Sequence, residues 1–424
     1  MTAGFPHPEG VALPEPPAPS DENTLNVALY PFIPNPPKYQ ATVEQAWAET
    51  GSPFKIGWST YEPYKEPPPE TLDLFAFDCM FIDELLAKEK IEPIDISEVD
   101  ELMDLMEFAV ANTAVGETTL GGIPYLGCVS TLFYRATDKE LDQPETFSIP
   151  GLFGVMKTAQ YKTERPQPGE GLMIGLDGKT TDASLYAAAW RSLKNVWWPT
   201  PMPMPMPPTV EREILKGFFY LREMAGAAQA KFPDETGLQR VAWMEEGYGR
   251  ALVGFAESMA FFQPQLLGQI RLRPLPTSVG PSPEATPFYT DAMGLRPNMP
   301  AAKRAAALQL ANLIASEPVF VAACGTAAEG CQYLTPTRQS SMDTMLASAE
   351  VVGKYMELAT IIEGSIYEPT PFRLGVGVSQ WAPAIGARLI NEIFGADAAA
   401  EIDARPLLPL GYRETPAGIW RRER

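Results

Sequence analysis

Histidine is almost missing from this 424-residue chain: the only one, His7, lies in a proline-rich opening stretch. A folded body without imidazole has no base for Ser-His-Asp or Cys-His catalysis and no histidine for a zinc site. Any nucleophile must be activated by a carboxylate, a tyrosine or a lysine. Basic residues are scarce too, 33 Lys+Arg against 53 Asp+Glu, giving a formal net charge of −20. Such a surface repels phosphate backbones and anionic bilayers, so no nucleic acid and no membrane are expected as partners. A small cation is favoured in an acidic cleft. No apolar run approaches the ~18 residues of a membrane span. The opening Met-Thr-Ala-Gly-Phe-Pro has neither a basic n-region nor an apolar h-region. The expectation is a protein that stays in the cytoplasm or one whose leader has been removed.

Cysteine is limited to Cys79, Cys128, Cys324 and Cys331, with no CxxC pair, which argues against a metal or dithiol motif of that type. Cys324 and Cys331 bracket Gly-Thr-Ala-Ala-Glu-Gly, a flexible stretch able to close a small disulfide loop. Sequence alone leaves that pairing open.

What is present suits a soluble globular protein, with 45% hydrophobic and 20% charged residues. The length exceeds one simple core and fits two lobes. Residues 1–23 read as a disordered leader. Leu25–Phe32 reads as a buried strand, Ala41–Glu49 as a helix, and Phe54–Thr60 and Leu72–Asp78 as two further strands. Strand–helix–strand order predicts an α/β architecture with helices covering a sheet. A second block starts after Tyr134. Pro199–Pro208 reads as an extended surface connection, because proline lacks the amide donor of a helix interior. Ile214, Phe218, Leu221 and Ala225 mark one helix face, as do Leu310, Leu313 and Ile314, and Ile385, Leu389 and Ile393.

Candidate chemistry falls at strand ends. Cys128 stands in Gly-Gly-Ile-Pro-Tyr-Leu-Gly-Cys-Val-Ser-Thr-Leu-Phe-Tyr-Arg, where pattern alone favours a buried, inert thiol. Glu257 ends the apolar Ala-Leu-Val-Gly-Phe-Ala-Glu and must be either functional or salt-bridged. Asp291 after Pro-Phe-Tyr-Thr and Asp78 after Leu-Phe-Ala-Phe suit helix N-caps as well as site residues. Asp177-Gly-Lys-Thr-Thr imitates the end of a phosphate-binding loop, but the required earlier glycine is Met173. Asp177–Thr181 therefore reads as a loop opening a helix over Ala183–Arg191.

Several separated segments, in order, resemble the thiaminase I (thiamine pyridinylase) family. They are Val-Ala-Leu-Tyr-Pro-Phe-Ile-Pro (27–34), Leu-Asp-Leu-Phe-Ala-Phe-Asp (72–78), and Gly-Ile-Pro-Tyr-Leu-Gly-Cys with Leu-Phe-Tyr-Arg (122–135). Lys-Thr-Thr-Asp-Ala-Ser-Leu-Tyr (179–186), Gly-Phe-Ala-Glu-Ser-Met (254–259) and Phe-Tyr-Thr-Asp (288–291) follow. Gln-Tyr-Leu-Thr-Pro-Thr-Arg (332–338) and Phe-Arg-Leu-Gly (372–375) complete the series. The resemblance implies a two-lobed periplasmic-binding-protein-like (type II) α/β fold with the ligand between the lobes. It sets lobe 1 at 24–135 plus about 278–335 and lobe 2 at about 136–277 plus 336–424. It also implies base exchange on thiamin with a nucleophilic co-substrate, a monomer, a secreted or periplasmic location, and no cofactor or metal. Cys128 matches the family's nucleophile and Glu257 its acid/base. Asp291 matches the carboxylate that holds the pyrimidine 4-amino group, and Asp78, Tyr30, Tyr64 and Tyr289 match the pyrimidine lining. Where the family pattern is Gly-Tyr-Ser-Glu-Ser, this chain has Gly-Phe-Ala-Glu-Ser, so Phe255 carries no hydroxyl. The rival readings are a non-catalytic thiamin- or solute-binding protein of the same fold, and a homologue acting on another aminopyrimidine.

Overall fold

Apolar residues in the strands alternate between two buried faces, and that alternation sets the architecture. The computed structural model describes residues 23–194, 209–233, 237–279, 287–364, 370–371, 373–395, 412–414 and 420–422. The leader, apart from Asn23, and the whole of Pro199–Pro208 lie outside the described residues.

In chain order the strands are β1 (Thr24–Ala28), β2 (Lys55–Trp58), β3 (Leu74–Asp78), β4 (Ile94–Asp95), β5 (Thr119–Leu120) and β6 (Ile123–Arg135). Then come β7 (Pro168–Met173), β8 (Gly249–Phe255), β9 (Ile270–Pro274), β10 (Pro287–Leu295), β11 (Thr370–Pro371), β12 (Tyr412–Glu414) and β13 (Trp420–Arg422). The main order is β2-β1-β3-β10-β6-β8-β7, with β11 on β10 and β9 on β6. β1, β2 and β3 run parallel, as do β7 and β8 and the short pair β10 and β11, while β10 runs antiparallel to β3 and β6, and β6 antiparallel to β8 and β9.

Successive strand residues point to opposite faces. Val27, Ala76, Phe133 and Phe288 enter one apolar core, and their neighbours Ala28, Phe77, Leu132 and Tyr134 enter the other. Helices Pro36–Glu49, Ala301–Ile314 and Glu317–Cys324 supply the first core, and Lys179–Lys194, Arg212–Ala225 and Val378–Phe394 the second. With both faces covered, the strands read as continuous apolar runs. The expected helix faces are mostly buried: Ile214, Phe218, Leu221, Leu310, Ile314, Ile385, Leu389 and Ile393 are at most 2% exposed. Leu313 is only partly buried.

β6 joins the two halves of this sheet. Its first part, Ile123–Val129, pairs with β10, and its second part, Ser130–Arg135, pairs with β8 and β9. The boundary placed after Tyr134 thus falls at the far end of one long shared strand. Three local expectations shift. β1 stops at Ala28, leaving Tyr30 in the following loop. The helix expected from Ala183 begins at Lys179, so Thr180 and Thr181 occupy its first turn. Asp291 lies inside β10 and caps nothing, whereas Asp78 does cap a short 3-10 turn by accepting from Met80 N at 2.9 Å.

No single helix among the described residues is long and apolar enough to cross a membrane. The pair Ala301–Ile314 and Glu317–Cys324 passes that test only as a helix bent by 54°, and its apolar residues line the first core.

Candidate active site

Register assembles the site at the hand-over of β6. Cys128 lies opposite Tyr289 on β10, and Asp291, two residues on, lies opposite Asp78 on β3. Ser130, two residues beyond Cys128, lies opposite Phe255 on β8. Residues facing each other across strands, or two apart along one, share a face. One face therefore gathers Cys128, Tyr289, Asp291, Asp78 and Phe255 from four strands. Glu257 follows two residues after β8 and Tyr30 two residues after β1. Both lie beyond carboxyl ends of strands in parallel pairs, where open α/β sheets bind ligands.

All eight residues singled out in the sequence line one cavity. The opposite wall comes from the first turns of Lys179–Lys194, through Thr180, Thr181, Ser184 and Leu185. None of the four was singled out as a site residue: Thr180 and Thr181 read as loop, and Ser184 and Leu185 read as part of a helix with no chemical signal. Phe32, Met80, Ser130 and Leu334 also line the space and carried no chemical signal in the sequence. No Lys, Arg or His is among the lining residues.

The Cys128 thiol points at Glu257, with Sγ 3.8 Å from Oε1 and 4.0 Å from Oε2. The half-buried cysteine therefore opens on the cavity, unlike the inert core thiol that pattern alone suggests. Burial lifts the Glu257 carboxyl to about 7, although its own backbone N–H and the Cys128 thiol pull it down. Burial likewise pushes the Cys128 thiol well up, and the negative charges of Glu257, Asp291 and Asp78 add to this. A standing thiolate is disfavoured; the pair is a neutral thiol beside a base poised near neutrality.

The second acidic pair sits deeper. Burial raises Asp78 to about 6, opposed by donors from Met80 N and Tyr64. Asp291 is raised by burial first, then by the charges of Asp78 and Glu257. Tyr64 Oη donates to Asp78 Oδ2 at 2.8 Å and lies 2.8 Å from Tyr30 Oη. Burial keeps both phenols neutral. Tyr30 N in turn donates to Tyr125 Oη at 2.9 Å, tying the loop after β1 to the sheet. Phe255 and Tyr289 meet edge to face with centroids 6.3 Å apart. The result is an aromatic slot with three buried carboxyl groups and, among the described lining residues, no cation to balance them. Ligands that bring positive charge or several N–H donors relieve that burial cost.

Comparison with known proteins shows what this arrangement resembles. Residues 129–278 match the Thiaminase-1 domain. Thiaminase-1 of Paenibacillus thiaminolyticus is 29% identical over 368 residues, which is 85% of this chain and 86% of that protein. This chain is similar to thiaminase-1 over most of its length. The solved thiaminase I from Bacillus thiaminolyticus matches with a TM-score of 0.78 and 27% identity, over 88% of this chain and all (100%) of that one. Clostridium botulinum thiaminase I in complex with thiamin superposes equally well, TM-score 0.78 at 22% identity, covering 87% and 99% of the two chains. The maltotriose-binding protein of Thermus thermophilus shares the fold, with a TM-score of 0.54 and 14% identity over 87% and 98%. The two-lobed periplasmic-binding-protein-like fold is thus the fold of this chain.

The thiaminase-1 match begins at Val129, one residue after Cys128, and includes Glu257. Two of the resembling segments serve the scaffold. Arg338, 1% exposed, donates to the carbonyls of Ala315 (2.6 Å), Glu101 (3.1 Å) and Asp100 (2.8 Å). Arg373 pairs with Asp83 and donates to the Ala114 carbonyl. Both lock loops that sequence reading placed in the family pattern without a role.

Proposed function

We propose that this chain cleaves thiamin by base exchange, with Cys128 as nucleophile and Glu257 as acid/base. The carrying observation is the 3.8 Å approach of thiol and carboxyl from segments 129 residues apart, at the mouth of one acidic aromatic cavity. In this reading the pyrimidine lies among Tyr30, Tyr64 and Tyr289, and Asp291 with Asp78 holds its amino group. A thiazolium cation also suits a site whose described lining has three carboxyls and no basic residue.

The chemistry follows from the proton inventory. Cys128 sulfur adds to C6 of the pyrimidine while its proton passes to Glu257. The bond from the bridging methylene to the thiazolium nitrogen then breaks, and the leaving ring takes the electron pair and becomes neutral. An amine or thiol adds to the methylene and gives up its proton to solvent, and the Cys128 sulfur departs, regaining its proton from Glu257 and restoring the aromatic ring. Reference acidities separate thiol and carboxyl by about 4 pH units, near 6 kcal/mol. Raising Glu257 to about 7 narrows that gap, while the raised thiol widens it again. Proton transfer concerted with sulfur attack avoids the separated ion pair.

Tyrosine stacking on a flat heterocycle would exclude water, and Phe255 places an apolar edge where the family pattern has a hydroxyl. The same reading places the protein outside the cytoplasm as a monomer. The test is incubation of the full chain with thiamin plus pyridine or aniline. The exchanged pyrimidine product is expected, and without an acceptor a single pyrimidine unit should add to Cys128 by mass. Thiamin bound tightly but recovered intact, with Cys128 unmodified, would instead mark a binding protein.

A further inference from the structure

Three of the four cysteines lie outside the cavity lining, and two of these, Cys324 and Cys331, sit together. Cys324 ends the helix Glu317–Cys324, and Cys331 follows a turn bounded by Gly325 and Gly330, both at positive φ (87° and 77°). The turn folds the chain back on itself. Gln332 N donates to the Cys324 carbonyl at 2.8 Å, and Lys38 Nζ donates to the carbonyls of Cys324 (3.4 Å) and Gly330 (3.3 Å). The two side chains are 0% and 3% exposed, and their sulfurs are 4.0 Å apart. Cys324 Sγ also lies 3.1 Å from Tyr355 Oη. Burial alone would raise the Cys324 thiol, but donors from Cys331, Tyr355 and the amides of Leu334 and Gln332 bring it to about 7. Cys331 is displaced upward by the same contact.

The chain beyond Cys331 runs straight to the reaction cavity. Tyr333 is buried at a φ of 48°, a left-handed conformation that costs a bulky residue on the order of 1–3 kcal/mol. Its ring lies nearly parallel to Tyr355, with centroids 6.2 Å apart. Leu334 lines the cavity, and the Thr335 carbonyl accepts from Gly127 N at 2.8 Å, one residue before Cys128. A strained segment anchored at a pair of thiols thus ends against the nucleophile's own strand.

We propose that Cys324 and Cys331 are a modification site: a dithiol that small organic disulfides convert to an intramolecular disulfide, fixing the segment 330–335 behind the cavity wall. The Cys324 thiolate attacks one sulfur of the small disulfide and releases one thiol. Cys331 sulfur then displaces the second thiol from Cys324, its proton leaving with that thiol. The protein loses two hydrogens and the small disulfide gains two. Rotation of the two side chains and movement of the glycine-bounded turn bring the sulfurs from 4.0 Å to the bonding distance of about 2 Å.

The test uses the full chain with oxidised glutathione, followed by denaturation, alkylation and tryptic mass mapping. The peptide between Arg304 and Arg338 contains both cysteines. It should appear unalkylated and two hydrogens lighter than its reduced form, while Cys79 and Cys128 are alkylated. Oxidation should also raise the melting temperature of the wild type by a few degrees and leave Cys331→Ser and Cys324→Ala unmoved. Full alkylation of both cysteines, glutathione retained on either, or a bond to Cys128 would each overturn the proposal. So would a melting shift of equal size in a serine or alanine variant. Mass and melting are read without thiamin, so failure here and failure of the base-exchange reading are separate results.

Discussion

Replacing Glu257 by glutamine should move activity and stability in opposite directions. Glutamine keeps the volume of the side chain but neither accepts the Cys128 proton nor carries charge. Loss of a positioned base costs about 10²–10⁴-fold in rate, equivalent to about 3–5 kcal/mol. Stability changes through the burial of the same group. Its carboxyl is raised from 4.5 to about 7, and at about 1.36 kcal/mol per pH unit that is worth on the order of 3 kcal/mol. A folded-state value above the unfolded one means the native protein holds this proton more tightly. Stability from this group is therefore present below pH 4.5, falls between about 4.5 and 7, and is absent above. At pH 8 the variant is spared that cost and should melt a few degrees above the wild type; at pH 4 the two should coincide. Removing the charge that most raises the thiol, after burial, should also make Cys128 alkylate at lower pH than in the wild type. Thiamin turnover, calorimetric melting at both pH values and iodoacetamide alkylation against pH measure the three effects. Turnover within tenfold of the wild type, or a lower melting temperature at pH 8 with no difference at pH 4, would refute the reasoning.

Three further outcomes follow from the geometry. Cys128→Ser should abolish the pyrimidine adduct and reduce turnover by at least about 10³-fold, because an alcohol is a far weaker nucleophile beside a carboxylate base; mass spectrometry and single-turnover kinetics read both. Tyr64→Phe deletes the hydroxyl joining Asp78 to Tyr30. A hydrogen bond to a charged group is worth about 1.5–3 kcal/mol, so kcat/KM should fall roughly 10–100-fold while the fold melts normally. Arg338→Met should leave the carbonyls of Ala315, Glu101 and Asp100 without their donor. A destabilisation of about 1–3 kcal/mol is expected in urea unfolding, chiefly because the Ala315 carbonyl is left buried without its donor while the other two contacts are only part-buried.

The candidate chemistry could be narrowed from this sequence because so little of it was available. One histidine in the opening stretch removed the usual bases, leaving carboxylates at strand ends, and Asp78 and Glu257 are at such ends. Asp291 was harder to read. A polar residue after an aromatic run looks like the start of a helix, yet β10 continues through it to Leu295. Local pattern cannot tell a cap from a buried strand acid when the partner strand is more than 200 residues away, as β3 is. Thr180 and Thr181 were missed for the related reason that a loop reading hid the first helix turn, which lines the cavity.

Taken alone, the sequence determined the strand and helix periods, the acidic balance, the absence of an imidazole base and the resemblance to thiaminase I. These properties are local or additive, so each survives without coordinates. Only the tertiary structure decided that Cys128 faces a cavity instead of a core, that Glu257 lies within 4 Å of it, and that Asp78 and Asp291 stand side by side. Those relations arise where one 13-residue strand passes from one half of the sheet to the other. Register between distant segments is set by the packing of the whole sheet, and no short stretch of sequence encodes it.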